Sequence, residues 1–253
     1  MTMGSSPSAG LTHPQAPAAA APVAEARLRL LQLVSPALPV GGFSYSEGLE
    51  VLVQHGCLGD AAAVGCWLEA ELRHGALALE AASLAGLQNA LDQARRAQSG
   101  DGAAMAVVRE RQGWLLAQRE AAEVRAQQRQ MGGSLCQLLE DLGWPLPDRA
   151  DAGPPLAWTA AWAWAGVCLE LPSLALVEAY LYGWTANQIS AAVRLVPLGP
   201  TEAQRLQLRL APLLAQRARE LVGADPSSLW SGGVGAGLAQ LGHGELYSRL
   251  FRS

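Results

Sequence analysis

Residues 30–50 read LLQLVSPALPVGGFSYSEGLE, and this stretch sets the pattern for the chain. An apolar helical run ends at Ser35-Pro36. Pro36 and Pro39 fix φ and remove backbone donors, so Pro39-Val40-Gly41-Gly42 is expected to be an irregular crossing. Gly41 and Gly42 permit positive φ or a close backbone approach. Ser44-Tyr45-Ser46-Glu47 has the spacing of a capping box, with the Ser44 hydroxyl and the Glu47 carboxylate each satisfying the other's backbone N–H. A second helix follows to about His55 and stops at Gly56. Helix, crossing, helix is the motif of an all-α chain.

Composition agrees. The chain has 253 residues, of which 50% are hydrophobic and 16% charged. Ala and Leu, both strong helix formers, dominate, and β-branched residues are few. The net charge of −4 argues against nucleic-acid binding and against an acidic membrane surface. All basic residues are Arg, which removes any lysine-based phosphate loop. Cys57, Cys66, Cys136 and Cys168 are widely spaced and form no CxxC pair, as expected of reduced, buried thiols in a cytoplasmic protein. His55-Gly56-Cys57 offers two soft ligands, too few for a metal site.

Residues 1–23 are Ala, Pro, Ser and Gly with almost no charge, and are expected to be a disordered tail, with no signal-peptide pattern. Residues 24–230 are expected to fold as a single-domain helical bundle of about ten helices. Asp60 reads as the N-cap of a helix to about His74, in which Val64, Trp67, Leu68 and Leu72 recur at helical spacing. Gly75 ends it, and Leu77, Leu84, Leu87 and Leu91 mark the next helix, to about Gln98. Helices over about 103–119 and 121–142 follow. Gly132-Gly133 inside the latter costs roughly 1 kcal/mol per glycine against Ala, which points to a tight helix crossing or a break. Residues 156–169 are uncharged and carry Trp158, Trp162 and Trp164. At 14 residues the run falls short of the roughly 20 that a membrane span requires, so it reads as a core helix. One helix or a pair covers 171–194, with Pro172 in its first turn. Another runs over 201–222, where Pro212 should introduce a kink or break. Residues 231–253 combine a flexible glycine-rich segment with a mobile C-terminal tail.

Four passages carry a resemblance: residues 35–50 (SPALPVGGFSYSEGLE), residues 130–135 (QMGGSL), residues 179–199 (AYLYGWTANQISAAVRLVPLG) and residues 243–253 (HGELYSRLFRS). Together they resemble the urease accessory protein UreF family, which departs from this sequence at Pro200 and Gly244. The resemblance implies an all-α, non-catalytic adaptor that assembles with UreD (also called UreH) and the GTPase UreG on the urease apoprotein. There it would regulate GTP-dependent nickel insertion. It also implies a homodimer.

The residues themselves show no catalytic constellation. GxxxxGK[ST], GxSxG and HExxH are all missing, and the four His are scattered. Glu50, Glu69, Glu71 and Glu80 are expected on solvated helix faces. No cofactor and no metal ligand is assigned. Candidate partner-binding or dimer-interface residues are Tyr45, Glu47, Tyr182, Arg194, His243, Tyr247, Arg249, Phe251 and Arg252. The last five lie in a segment that would expose Leu246, Leu250 and Phe251 unless it docks, either on another chain or on its own core. Arg194, on an otherwise apolar helix, reads as a salt-bridge partner or a partner contact. An all-α small-molecule-binding or enzyme domain with a pocket lined by the Trp158–Trp164 region is the alternative.

Overall fold

The structure is a computed structural model that describes residues 23–97, 102–147 and 154–253. The expected disordered tail lies, apart from Val23, outside the described residues. Among those residues the chain forms ten α-helices and no strand. These are α1 (Val23–Leu33), α2 (Leu49–Gln54), α3 (Ala61–His74), α4 (Leu77–Arg96), α5 (Ala103–Ala117), α6 (Ala122–Asp141), α7 (Trp158–Cys168), α8 (Ser173–Leu195), α9 (Pro200–Leu221) and α10 (Val234–Gly242).

The uncharged run becomes the axis of the fold. Every residue of α7 from Thr159 to Cys168 is buried, with α4 and α6 packed along it and α8 crossing its end. Trp162 stacks obliquely on Trp158 at 5.2 Å and meets Tyr180 edge-on at 5.7 Å. Its indole N–H donates to the Leu176 carbonyl at 3.2 Å, so the buried ring leaves no donor unpaired. Among the described residues no helix is long and apolar enough to cross a membrane.

The α6–α7 approach explains one of the two mid-helix glycines. A Cβ at Gly132 would lie 2.2 Å from the Leu156 carbonyl oxygen and 2.5 Å from the Ala157 carbonyl carbon, both backbone atoms. Of the two expectations for this pair, the tight crossing is the one that forms, and it is Gly132 that permits it; a Cβ at Gly133 would meet open space.

Other boundaries follow local chemistry. The Asp60 side chain accepts from the Ala63 N–H at 2.8 Å and starts α3. Gly75, in an extended conformation, separates α3 from α4. α8 is one unbroken helix rather than a pair, and α9 runs through Pro212 without a break. Pro212 faces solvent, where the carbonyl it leaves unbonded can be hydrated.

The glycine-rich run departs most from expectation. Instead of remaining a pliable connector, Val234–Gly242 folds as α10 and lies across α2. Its small residues make this possible: Ala236 and Ala239 are buried in the contact.

Candidate functional site

The capping box predicted at Ser44–Glu47 does not form. Gly48 takes φ 90° directly before α2, and a Cβ there would lie 3.0 Å from the backbone nitrogen of Gln240 in α10. Glu47 itself takes φ 50°, an uncommon conformation for a residue other than glycine. That turn carries its carboxylate away from Ser44 and into the body. Oε1 accepts from Gln127 Nε2 at 2.7 Å and Oε2 from Trp184 Nε1 at 3.1 Å. Partners from α6 and α8 outcompete the local cap.

The same junction receives the end of the chain. The Ser253 carbonyl oxygen accepts from the backbone N–H of Ser46 at 2.6 Å, that of Glu47 at 3.0 Å and the Ser46 hydroxyl at 2.7 Å. Arg252 N–H donates to the Ser44 carbonyl at 2.8 Å. Glu50 accepts from the N–H groups of Leu250 at 2.7 Å and Phe251 at 3.0 Å. The Phe251 ring is buried, with the Arg194 guanidinium 4.6 Å above it. Of the two docking outcomes the sequence leaves open, residues 250–253 take the chain's own core.

His243 holds the near end of this segment. Fully buried, it places Nδ1 2.8 Å from Glu123 Oε2 and Nε2 3.4 Å from Glu50 Oε2. Whichever ring nitrogen carries the proton therefore has a carboxylate to receive it. Arg249 Nη1 donates to the other Glu123 oxygen at 3.1 Å. Ser253 Oγ donates to Gln127 Oε1 at 2.7 Å, so Gln127 joins the seated segment to Glu47.

Deeper in the core, Arg119 donates through Nε and Nη2 to Glu80 Oε1 at 2.9 and 2.6 Å. Tyr180 donates to Glu80 Oε2 at 2.8 Å, and Thr159 meets the Tyr180 hydroxyl at 3.1 Å. Burial alone would lower the Arg119 pKa, but the facing Glu80, with Glu47 beyond it, raises it above the ordinary value. Burial, reinforced by Glu80, likewise holds the Tyr180 hydroxyl well above its usual range. Burial also pushes the thiols of Cys136 and Cys168 up to about 12, leaving them poor nucleophiles.

Most of the sequence-predicted residues meet in this one place. Glu47, Arg194, His243, Arg249, Phe251 and Arg252 meet at the seated segment, and Tyr45 lies in the junction that receives it, its hydroxyl donating to Gln130 Oε1 at 3.0 Å. Tyr182 and Tyr247 are not brought in; both point outward, Tyr247 completely. Arg194 forms no salt bridge among the described residues; it is exposed over Phe251, with Nη1 3.5 Å from the Phe43 carbonyl. Two further expectations fail. Glu50 and Glu80 are buried rather than solvated, because each has partners far along the chain: Leu250, Phe251 and His243 for Glu50, Arg119 and Tyr180 for Glu80. Cys57 and Cys66 are exposed, not buried, as is His55. The sequence signal for the two acids was available: each is a single charge within an apolar run, Leu49–Val53 and Leu77–Leu84.

Glu71, half-buried on α3, has no such partner among the described residues and sits near Gly75 and Gly233. Burial, countered by Arg119 and aided by Glu47, pushes its carboxyl up from 4.5 to about 7. Between those values the folded chain keeps a proton that the unfolded chain has lost, so stability falls as pH rises through this window and levels off above it. Glu71→Gln is expected to remove a loss of about 1–3 kcal/mol. Urea unfolding at pH 5 and pH 8 should show a smaller decline in the variant than in the parent, whereas an unchanged decline would assign the effect elsewhere.

Fold and site together define an all-helical protein whose buried polar groups seat one end of the chain on a proline-glycine crossing. A model of the UreF family matches residues 58–211. A urease accessory protein UreF of Alkalilimnicola ehrlichii is 40% identical over 228 residues, covering 90% of this chain and 96% of the relative. The one from Thermosynechococcus vestitus is 40% identical over 230 residues, covering 90% and 98%. That of Prochlorococcus marinus is 35% identical over 224 residues, covering 87% and 96%. The chain belongs to the UreF family of urease accessory proteins.

Proposed function

We propose that this chain is a cytoplasmic, non-catalytic adaptor in urease maturation. It assembles as a homodimer with UreD and the GTPase UreG on the urease apoprotein, and couples GTP hydrolysis to delivery of the nickel cargo. Family membership supports the maturation role. The observation that carries the adaptor reading is the outer face of α10. Val234, Leu238 and Leu241 recur there at helical spacing and are exposed, with Trp230 90% exposed just before them. Tyr247 and Leu250 extend the apolar surface. Aromatic and aliphatic side chains clustered on one face are the residue types that anchor interfaces. The inner face of α10 and residues 250–253 are already spent on holding this surface in place.

UreD is the occupant we assign to it. The double change Leu238→Arg, Leu241→Arg leaves the buried face of α10 intact and puts two charges into the contact. Capture of UreD in a co-purification is expected to drop by at least about tenfold, as for loss of interface anchors, with the circular dichroism spectrum unchanged. Undiminished capture by a folded variant would remove this face from the assembly.

A further inference from the structure

A cleft of about 210 Å³ lies beside the 35–43 crossing, with walls from α1, α6, α7 and α8. Trp158, Trp162 and Trp184 line it, together with Glu47 and Glu80. Trp164, at the end of the run singled out in the sequence, is elsewhere: its N–H donates to the Trp144 carbonyl at 3.4 Å.

The two carboxylates differ in charge balance. Glu80 is matched by Arg119 at 2.6 Å. Glu47 is 6% exposed and accepts from neutral donors, Gln127 and Trp184. Arg119 feels its charge, but both guanidinium hydrogen bonds go to Glu80. A buried carboxylate without a counter-charge is costly, and neutral hydrogen bonds offset only part of that cost. One amide and one indole donor also leave half of a carboxylate's lone-pair positions open. Independently, the Gln128 side chain lines the same cleft, is 4% exposed, and makes no hydrogen bond among the described residues. The cleft thus brings together a buried carboxylate with no cation hydrogen-bonded to it among the described residues, an amide without a hydrogen bond there, and three tryptophans.

We infer that this cleft binds a guanidinium group. A planar guanidinium can lie against an indole face while its N–H fork donates to Glu47 and to the Gln128 carbonyl. It is more weakly hydrated than an ammonium and has more donors, which suits a narrow, ring-lined site. The volume admits a head group with a few methylenes and excludes a folded peptide. A free alkylguanidine and an arginine side chain share this chemistry. The site stands whether or not the α10 surface binds UreD.

The test is a titration of the full chain followed by the Trp184 Nε1–H cross-peak and by indole fluorescence, using ethylguanidinium, neutral ethylurea and N-acetylarginine methylamide at millimolar concentrations. Ethylguanidinium is expected to shift the cross-peak saturably, and ethylurea is not. Glu47→Gln is expected to weaken binding by about tenfold or more, as for removal of a desolvated ionic partner. Gln128→Leu, which removes an amide without a partner and so leaves the fold intact, should also weaken binding and serves if Glu47→Gln misfolds. N-acetylarginine methylamide binding as well as ethylguanidinium would identify an arginine side chain as the natural occupant; its exclusion would identify a free small molecule. No saturable shift, equal binding of ethylurea, or unchanged affinity in the folded variants would overturn the inference.

Discussion

Arg119→Met is expected to cost about 3–5 kcal/mol of folding stability, the range for removing one partner of a buried ion pair. Arg119 and Glu80 are both almost fully buried, and their shortest contact is 2.6 Å. With the guanidinium gone, Glu80 keeps, among the described residues, the Tyr180 hydroxyl alone as a hydrogen-bond donor in a core of Trp, Leu and Ala. Removing both charges together, as in Glu80→Leu, Arg119→Met, leaves no orphaned ion, and much of the loss should be recovered. Urea unfolding of the two single variants and the double variant measures the coupling. Single-site losses below about 1 kcal/mol, the level of an exposed pair, would show that the two groups are not buried against each other as described.

Glu50→Ala is expected to have the next largest effect, about 3 kcal/mol, because one carboxylate serves three groups. Leu250 and Phe251 lose the acceptor for their backbone N–H groups, and His243 loses one of its two facing carboxylates. The consequence is local as well as global, since these bonds hold residues 250–253 on the body. Hydrogen exchange at the amides of Leu250, Phe251 and Arg252 should accelerate by at least about tenfold relative to those of α7. Exchange that stays slow at those three positions would mean that Phe251 and Ser253 hold the segment without Glu50.

How far the sequence discloses these features depends on whether a residue's decisive partner is near or far along the chain. α3 was readable from Asp60 and the Val64–Leu68–Leu72 stripe, because cap and periodicity are both local. α7 was readable because an uncharged run of that length has one stable place in a helical chain, the centre. Gly132 signalled a close approach through its own helix penalty, although its neighbours Leu156 and Ala157 could not be named. Glu47 was misread for the opposite reason. Three-residue spacing favours a capping box, but Gln127 and Trp184, 80 and 137 residues away, take the carboxylate instead. Pro212 and the glycines of α10 were read by their intrinsic penalties, yet a solvent-facing proline and a helix of small residues packed on α2 both escape them. His243, Arg249 and Phe251 lie in a tail whose apolar residues require docking, on another chain or on the chain's own core. That they dock on their own chain, and that Glu50 and Glu123 receive them, depends on pairings across 120 residues or more that no single stretch reveals.

The seated segment and the α10 face make one device. Glu47, Glu50 and Gln127 fasten the end of the chain, and the fastening turns an apolar face outward. In the proposed adaptor that face is what the rest of the maturation assembly reads. The most direct measurement is nickel content and activity of urease purified after co-expression of the apoprotein with UreD and UreG, with and without this chain. Nickel-loaded, active urease is predicted only when the chain is present, with loading impaired by Leu238→Arg, Leu241→Arg. Equal loading in its absence would contradict the role assigned to it.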